Sequence, residues 1–389
     1  MVLLTASLLI WANCVLIFGV IKCSGLREKP IQRRFRPLLR NPVPNTHYET
    51  FRVLQFNILA DGLSGLRSDL GAFSRAIPEA MAWETRKYQL LHEILQYDPD
   101  CITLQECDHY YDFFLPKLTT FGYDGVYAPK PASACLEVSE NSDGCAIFVK
   151  RSRLRIASSE TVTYALSKGS VDDGSSTLVM AMNQVGLIVT CDVIGKSGGV
   201  INGGDNPLVV STTHLKAKKS EMGEKYRDKE VNQLLQSINK TMRALGVYCN
   251  PLLILTGDLN AAPDSKGTKY ESMAYRSVKE NKLGLRSLLN DDVASDKASD
   301  RLDRDDDGGI WTTWKARWKK GVENVAKNCI DYILYVPFVE GGKAALEPIA
   351  VLDLFKEEEI GEMLLPNSKY PSDHVAIAAD FAIKYTSSE

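Results

Sequence analysis

The stretch Leu252-Leu253-Ile254-Leu255-Thr256-Gly257-Asp258-Leu259-Asn260 sets four aliphatic residues directly before two polar side chains. A short unbroken apolar run bounded by a glycine reads as a buried strand rather than a half-wet one, which would alternate. Asp258 and Asn260 then stand at its end, so close to the core that each must find a partner or line a cleft.

The same design recurs along the chain. Phe51 to Leu59 reads as a strand carrying Asn57. Cys101 to Leu104 runs into Gln105-Glu106, and Leu208 to Thr213 runs into His214-Leu215. Ile330 to Tyr335 opens on Ile330-Asp331-Tyr332, and Val375 to Phe381 follows Ser372-Asp373-His374. One polar residue beside a buried strand is ordinarily a satisfied core group. A whole set in the same position relative to its strands would be brought by sheet packing to a common edge, where unshared carboxylates repel and call for a cation. Asn57, Glu106, Asp258, Asn260 and Asp373 offer hard oxygens, the donor set of Mg2+ or Mn2+. Zinc is disfavoured: only two of the five histidines join the set, and neither belongs to an HExxH pair.

Helical spacing marks Trp83 to Tyr97 and Glu221 to Ala244, and no repeat is present. Strands and helices mix without strict βαβ alternation, which points to a mixed-sheet α/β sandwich forming one catalytic domain. A net charge of −3 over 389 residues supplies no global field for nucleic acid, so an anionic substrate needs a local basic pocket. Nine cysteines without a CxxC pair indicate reduced core thiols, not a disulfide framework or a structural zinc site.

The N-terminus differs from the rest. Val2 to Ile21 is almost wholly apolar, long enough to cross a bilayer, and its basic residues (Lys22, Arg27, Lys29, Arg33, Arg34, Arg36, Arg40) all follow it. Residues 1–22 are therefore expected to be a membrane anchor or targeting segment, 23–47 a basic Pro/Arg-rich linker and 48–385 the catalytic domain. That places the enzyme on the cytosolic face of the endoplasmic reticulum or mitochondrial outer membrane, or in mitochondria if the segment is a targeting signal. Asp303-Arg304-Asp305-Asp306-Asp307-Gly308 matches half of a calcium loop, but Trp314 stands where the bidentate Glu belongs, so a solvated acidic loop is expected.

The ordered set FNIL at Phe56, LQE at Leu104, THLK at Thr213, GDLN at Gly257, IDY at Ile330 and SDH at Ser372 resembles the endonuclease/exonuclease/phosphatase superfamily. Within its deadenylase-like branch, Pro129-Lys130-Pro131, Asp143-Gly144-Cys145-Ala146, Asn183-Gln184-Val185, Thr312-Thr313-Trp314-Lys315 and Tyr370-Pro371-Ser372 are similar to the nocturnin family. The resemblance covers about Phe51 to Phe381. It implies a four-layer α/β sandwich of two mixed β-sheets flanked by helices. It also implies Mg2+ (or Mn2+) held by Glu106, Asn57 and Asp373. Asp258 would position or deprotonate the attacking water, and Asn260 would hold the phosphate. His374, oriented by Asp331, and His214 would donate to the phosphoryl group from two sides. Lys130, Lys216, Lys218, Lys315 and Arg317 would form the basic pocket.

The implied reaction is removal of the 2′-phosphate of NADP+ or NADPH by a monomeric catalytic domain. Relatives in the branch instead shorten poly(A) RNA from its 3′ end, which is the alternative; a catalytically silent, membrane-tethered binding module is a further one. A compact basic cluster suits a small, multiply charged ligand better than an RNA track, which needs interleaved aromatic residues. Two departures stand out: Lys218 where the family carries arginine, and a longer stretch from Trp318 to Lys327 expected to reshape one rim of the pocket.

Overall fold

The computed structural model describes residues 31–38, 49–65, 72–167, 179–195, 198–201, 206–247, 251–263, 272–289, 310–337 and 344–385. Its strands are β1 (Phe35–Pro37), β2 (Glu49–Asn57), β3 (Cys101–Gln105), β4 (Tyr123–Pro129), β5 (Gly144–Lys150), β6 (Leu154–Ser167), β7 (Val179–Val193), β8 (Leu208–His214), β9 (Leu252–Asp258), β10 (Arg286–Ser287), β11 (Thr313–Lys319), β12 (Val322–Asn328), β13 (Asp331–Tyr335), β14 (Ala344–Leu352) and β15 (Ile377–Tyr385). The principal helices are α1 (Trp83–Leu95), α2 (Glu221–Ala244) and α3 (Met273–Lys279).

Two mixed sheets result, ordered β1-β14-β15-β2-β3-β5-β4 and β10-β13-β9-β8-β7-β6, with β11 and β12 as a separate ribbon. On β9, Leu252 and Ile254 enter the core shared with the first sheet, beside Val53, Leu104 and Ile147. Leu253 and Leu255 point the other way, under Val231, Leu234 and Ile238 of α2. Both faces are covered, which is why the run is continuous and not alternating. Helix α2 starts at Ser220, whose hydroxyl accepts the Gly223 N–H at 3.1 Å.

Parallel β2–β3 and β8–β9 end at the same edge, while β13 and β15 run antiparallel to β9 and β2 and so begin there. The strand ends of the first group and the strand starts of the second therefore meet. Gly257 lets β8 and β9 meet there: its φ is +145°, and a Cβ would lie 2.1 Å from the Thr213 carbonyl oxygen.

The domain reaches further back than expected. Part of the proposed 23–47 linker is folded: Phe35, Arg36 and Pro37 pair with Leu352, Val351 and Ala350, and Arg36 bonds Asp353 at 2.7 Å. The cause is apolar: Ile31, Phe35 and Leu38 pack on the main core. Trp318 to Lys327 forms most of the β11–β12 ribbon, turned at Lys320 and Gly321, both with positive φ. The described cysteines, Cys101, Cys107, Cys135, Cys145, Cys191 and Cys329, are buried and unbridged. The apolar run from Val2 and the Asp303–Gly308 loop lie outside the described residues, and no described helix is long and apolar enough to cross a membrane.

Candidate active site

At the shared strand edge a cleft of about 580 Å³ opens over Glu106, His214, Asp258, Asn260, Asp373 and His374. Two of these side chains stand on left-handed backbone, Glu106 at φ 56° and Asn260 at φ 49°. Non-glycine residues rarely adopt it, and such strain concentrates at functional sites. Here it turns each chain away from its strand and lets the side chain face the cleft.

Asn57 sits beneath two carboxylates. Its amide NH2 donates to Glu106 Oε1 at 3.1 Å and to Asp258 Oδ2 at 3.0 Å, while its oxygen accepts the Leu59 N–H at 3.1 Å. Asn57 thus presents hydrogens, not an oxygen ligand, toward the acids. The sequence sets Asn57 at the metal, and in the structure its amide draws Glu106 and Asp258 together. Glu106 Oε2 accepts the Ala60 N–H at 3.2 Å.

Burial pushes the Asp258 carboxyl up to about 7, with Asp331 adding to the rise and His374 opposing it. Its Oδ1 accepts the Asn260 N–H at 2.9 Å, and the Asn260 amide donates to the Leu215 carbonyl at 2.9 Å.

Asp331 is the direct register partner of Asp258 but turns to another task. Its Oδ2 takes His374 Nδ1 at 2.8 Å and the Thr312 hydroxyl at 2.7 Å, and its Oδ1 takes the Gln55 amide at 3.1 Å. Burial alone would lower the His374 pKa; Asp331 overrides it and holds the imidazole at about 9, against the pull of Lys315. Asp258, Asp331 and His374 bring ligand atoms within 4.8 Å of one another. We read this cluster as a proton-carrying dyad beside Asp258, because His374 Nδ1 is already committed to Asp331.

His214 is the opposite case. Burial, then Lys130 and His374, push it well below the usual histidine range, so it is neutral. Lys130 Nζ lies 3.4 Å from its Nδ1, and an ammonium only donates. The ring proton therefore resides on Nε2, 3.5 Å from Asp258 Oδ2 and facing the cleft. Lys130 itself is buried, held by Asp143 at 2.5 Å. It serves below the cleft rather than in its basic wall.

Lys315 Nζ reaches Asp373 Oδ2 at 2.5 Å and His374 Nε2 at 3.2 Å; Arg317 reaches the same Asp373 oxygen at 3.5 Å. After burial, which acts the other way, these cations hold the Asp373 carboxyl far below the usual range. Both line the cleft as expected. Lys216 and Lys218 do not: the cleft wall is formed by the alternate residues Ala217 and Lys219. The turn is fixed from behind, where Arg227 of α2 donates to the carbonyls of Lys216, at 2.5 Å, and Lys218, at 3.0 Å, and Glu230 accepts the Lys216 N–H at 2.9 Å. Lys219 was missed because a sequence does not show which side of an extended loop faces inward. Its ammonium is pulled below the usual lysine range by burial and then by Lys315, Lys319 and Arg227.

The donor chemistry fits a hard divalent cation. Two carboxylates converge on a single amide, Asp373 Oδ1 is buried without a hydrogen-bond partner, and burial keeps the neighbouring Cys107 and Cys145 as thiols rather than thiolates.

No protein-family model matches the chain. Human nocturnin is 33% identical over 361 residues, which cover 92% of this chain and 70% of that protein. The chain belongs to the nocturnin family. Nocturnin of Xenopus laevis is 32% identical over 369 residues, 92% of this chain and 79% of that one. The human nocturnin catalytic domain, solved with a bound sulfate anion, superposes with a TM-score of 0.61 at 28% identity, covering 92% of this chain and 99% of that structure. ANGEL2, a 2′,3′-cyclic phosphatase, shares the fold with a TM-score of 0.64 at 20% identity, over 91% of this chain and 99% of its own. Family membership makes the chain a nocturnin-like hydrolase of the endonuclease/exonuclease/phosphatase superfamily, whose enzymes depend on a divalent metal.

Proposed function

We propose that the protein is a Mg2+-dependent phosphatase that removes the 2′-phosphate of NADP+ and NADPH, giving NAD+ and NADH. The observation that carries this reading is the cleft itself. Lys315, Arg317 and Lys219 converge within one cavity on the acid–histidine floor. Such a compact cluster fits a small ligand with several phosphates. Trp311 is buried and Trp314 faces Lys327, so neither tryptophan of the ribbon base is a lining residue of the cleft, and among the described residues no Phe, Tyr or Trp lines it for base stacking. The sulfate held by the human nocturnin domain is consistent with an anion site in this fold family.

Asp258, with its carboxyl near 7, takes the proton from a water aligned on the 2′-phosphorus. The new P–O bond forms as the bond from phosphorus to the ribose 2′-oxygen breaks; that oxygen takes a proton from solvent to leave as the 2′-hydroxyl, and Asp258 returns the proton it accepted to solvent. His374, charged by its pairing with Asp331, and His214, with its proton on Nε2, donate to the phosphoryl oxygens. Glu106 and Asp373 would hold the Mg2+ (Mn2+ being the near substitute), which when bound neutralises charge on the transferred phosphoryl group. Asn260 bonds the phosphate from the β9 end. The apolar run Val2 to Ile21, read as an anchor, would keep the domain near a bilayer, since residues 22–30 span at most about 30 Å.

The test offers the full chain NADPH and a poly(A) oligonucleotide in parallel with Mg2+, following free phosphate and RNA length. Phosphate release from NADPH that disappears in Glu106→Gln, with RNA intact, is the expected result. RNA shortening without phosphate release would assign the chain to the deadenylase chemistry of the branch. Neither activity would leave a tethered binding module.

A further inference from the structure

Arg33 precedes every motif of the site, in a stretch whose composition reads as linker, yet its guanidinium is a core group. Its Nη1 donates to the carbonyl of Ala376 at 2.6 Å and to that of Asp353 at 3.3 Å. Its Nη2 pairs with Glu93 of α1, and its plane lies 4.7 Å from the Phe355 ring centre and 5.5 Å from that of Tyr97. Glu93 also accepts the Tyr370 hydroxyl at 3.1 Å, and that hydroxyl accepts the Ala376 N–H at 2.9 Å. Both backbone groups of Ala376 therefore end on one buried ion pair: the carbonyl directly, the N–H through Tyr370.

Ala376 is two residues from His374, and the intervening segment is clamped from the other side. Val375 N–H donates to the Thr312 carbonyl at 2.7 Å, the Thr313 hydroxyl to the Asp373 carbonyl at 2.7 Å, and the Ser372 hydroxyl to the Asn57 carbonyl at 2.7 Å. Residues 370–376 are thus gripped between the ribbon on the cleft side and the Arg33–Glu93 pair behind. Removing Arg33 would leave a buried carboxylate whose burial is offset first of all by that guanidinium. Breaking one side of such a pair is far more disruptive than replacing both, so Glu93, and Tyr370 with it, would rearrange.

We propose that Arg33 is a positioning residue for Asp373 and His374, and that Ile31–Leu38 braces the active site rather than merely leading to it. The proposal rests on Asp373 and His374 being groups of the catalytic centre. A displacement of about 1 Å at such groups is enough to lower turnover strongly without altering substrate binding.

The test uses the full chain with Arg33→Met and Arg33→Lys, and Tyr370→Phe to cut only the link from Glu93 to the Ala376 N–H. Turnover and KM with NADPH are measured alongside amide hydrogen exchange at Val375 and Ala376, with Leu54 and Leu255 as references in the sheets. Expected for Arg33→Met is a kcat at least tenfold lower with KM within twofold, and exchange at least tenfold faster at Val375 and Ala376 alone. Arg33→Lys should recover part of both, and Tyr370→Phe should show the same pattern more weakly. Uniformly faster exchange would mean a merely structural role, and wild-type kcat with unchanged local exchange would refute the brace. If Arg33→Met does not fold, Arg33→Lys and Tyr370→Phe decide by the same criteria. If the wild-type protein does not turn over NADPH, the exchange data still decide the brace, and only the substrate assignment fails.

Discussion

His374 Nδ1 lies 2.8 Å from Asp331 Oδ2, and that contact joins two strands that begin where the catalytic strands end. Asp331 is held at its other oxygen by Gln55 and at the same oxygen by Thr312, so it cannot swing away from the imidazole. Replacing it with asparagine keeps the shape but removes the charge that fixes the ring. We predict that Asp331→Asn lowers kcat by about 10²–10⁴-fold, the usual scale for a misassigned acid–base partner, with little change in KM. The His374 imidazole pKa, followed by NMR, should fall from about 9. An unchanged imidazole pKa would sink the role assigned to Asp331.

Much of this site was legible in the sequence, because burial forces a polar residue at a strand end to have a reason. Asn57, Glu106, Asp258, Asn260, Asp331 and His374 were all found that way, and the fold brings them to one edge. What was not legible depends on direction rather than composition. The residue after His214-Leu215 that faces the cleft is set by Arg227 pulling on two carbonyls from a helix, contacts nine and eleven residues away along the chain. Nor is it legible that the Asn57 amide bridges Glu106 and Asp258, because an amide offers an oxygen or an NH2, and the Leu59 N–H decides which faces the acids. The brace at Arg33 was hidden for another reason: basic residues signal solvent, and only the opposing Glu93, with Phe355 and Tyr97, makes one of them a core group.

Glu230 supports the cleft wall from α2 and gives the fold a pH signature. Burial raises its carboxyl to about 7, against the Lys216 N–H and the nearby cations, and its Oε1 has no hydrogen-bond partner. The folded state therefore holds the proton more tightly than the unfolded chain does. The resulting stability is fully present below the unfolded value near 4.5 and is lost as pH rises through about 7. Denaturant melts should show stability falling across this window by up to about 3 kcal/mol, at about 1.4 kcal/mol per unit of pKa difference. Glu230→Gln should flatten that slope and be the more stable protein at pH 8. An equally steep slope in the variant would disprove the assignment.

Gly257 allows β8 and β9 to meet below the site. Alanine there would need both a φ of +145° and a Cβ 2.1 Å from the Thr213 oxygen. The clash involves backbone and cannot be relieved by a rotamer change. Gly257→Ala should lower stability by about 3 kcal/mol or more, since backbone strain and overpacking add. Because Asp258 follows directly, residual folded protein should also be inactive. A variant with wild-type melting would mean that β8 and β9 do not approach this closely.

Lys219 is where the proposed substrate can be tested by chemistry rather than by loss of function. It lines the cleft among Lys315, Arg317 and the start of α2, and no ion pair engages it among the described residues. Burial, and then repulsion from Lys315, Lys319 and Arg227, disfavours its charge and leaves it in want of an anion. NADPH carries a pyrophosphate in addition to its 2′-phosphate, whereas adenosine 2′-monophosphate carries the scissile group alone. Lys219→Met should therefore raise KM for NADPH by about tenfold, the lower end for a charge-assisted hydrogen bond partly open to solvent. With adenosine 2′-monophosphate the same variant should change KM by less than twofold. Equal effects on both substrates would place Lys219 at the scissile phosphate, and no effect on either would return it to the solvated surface.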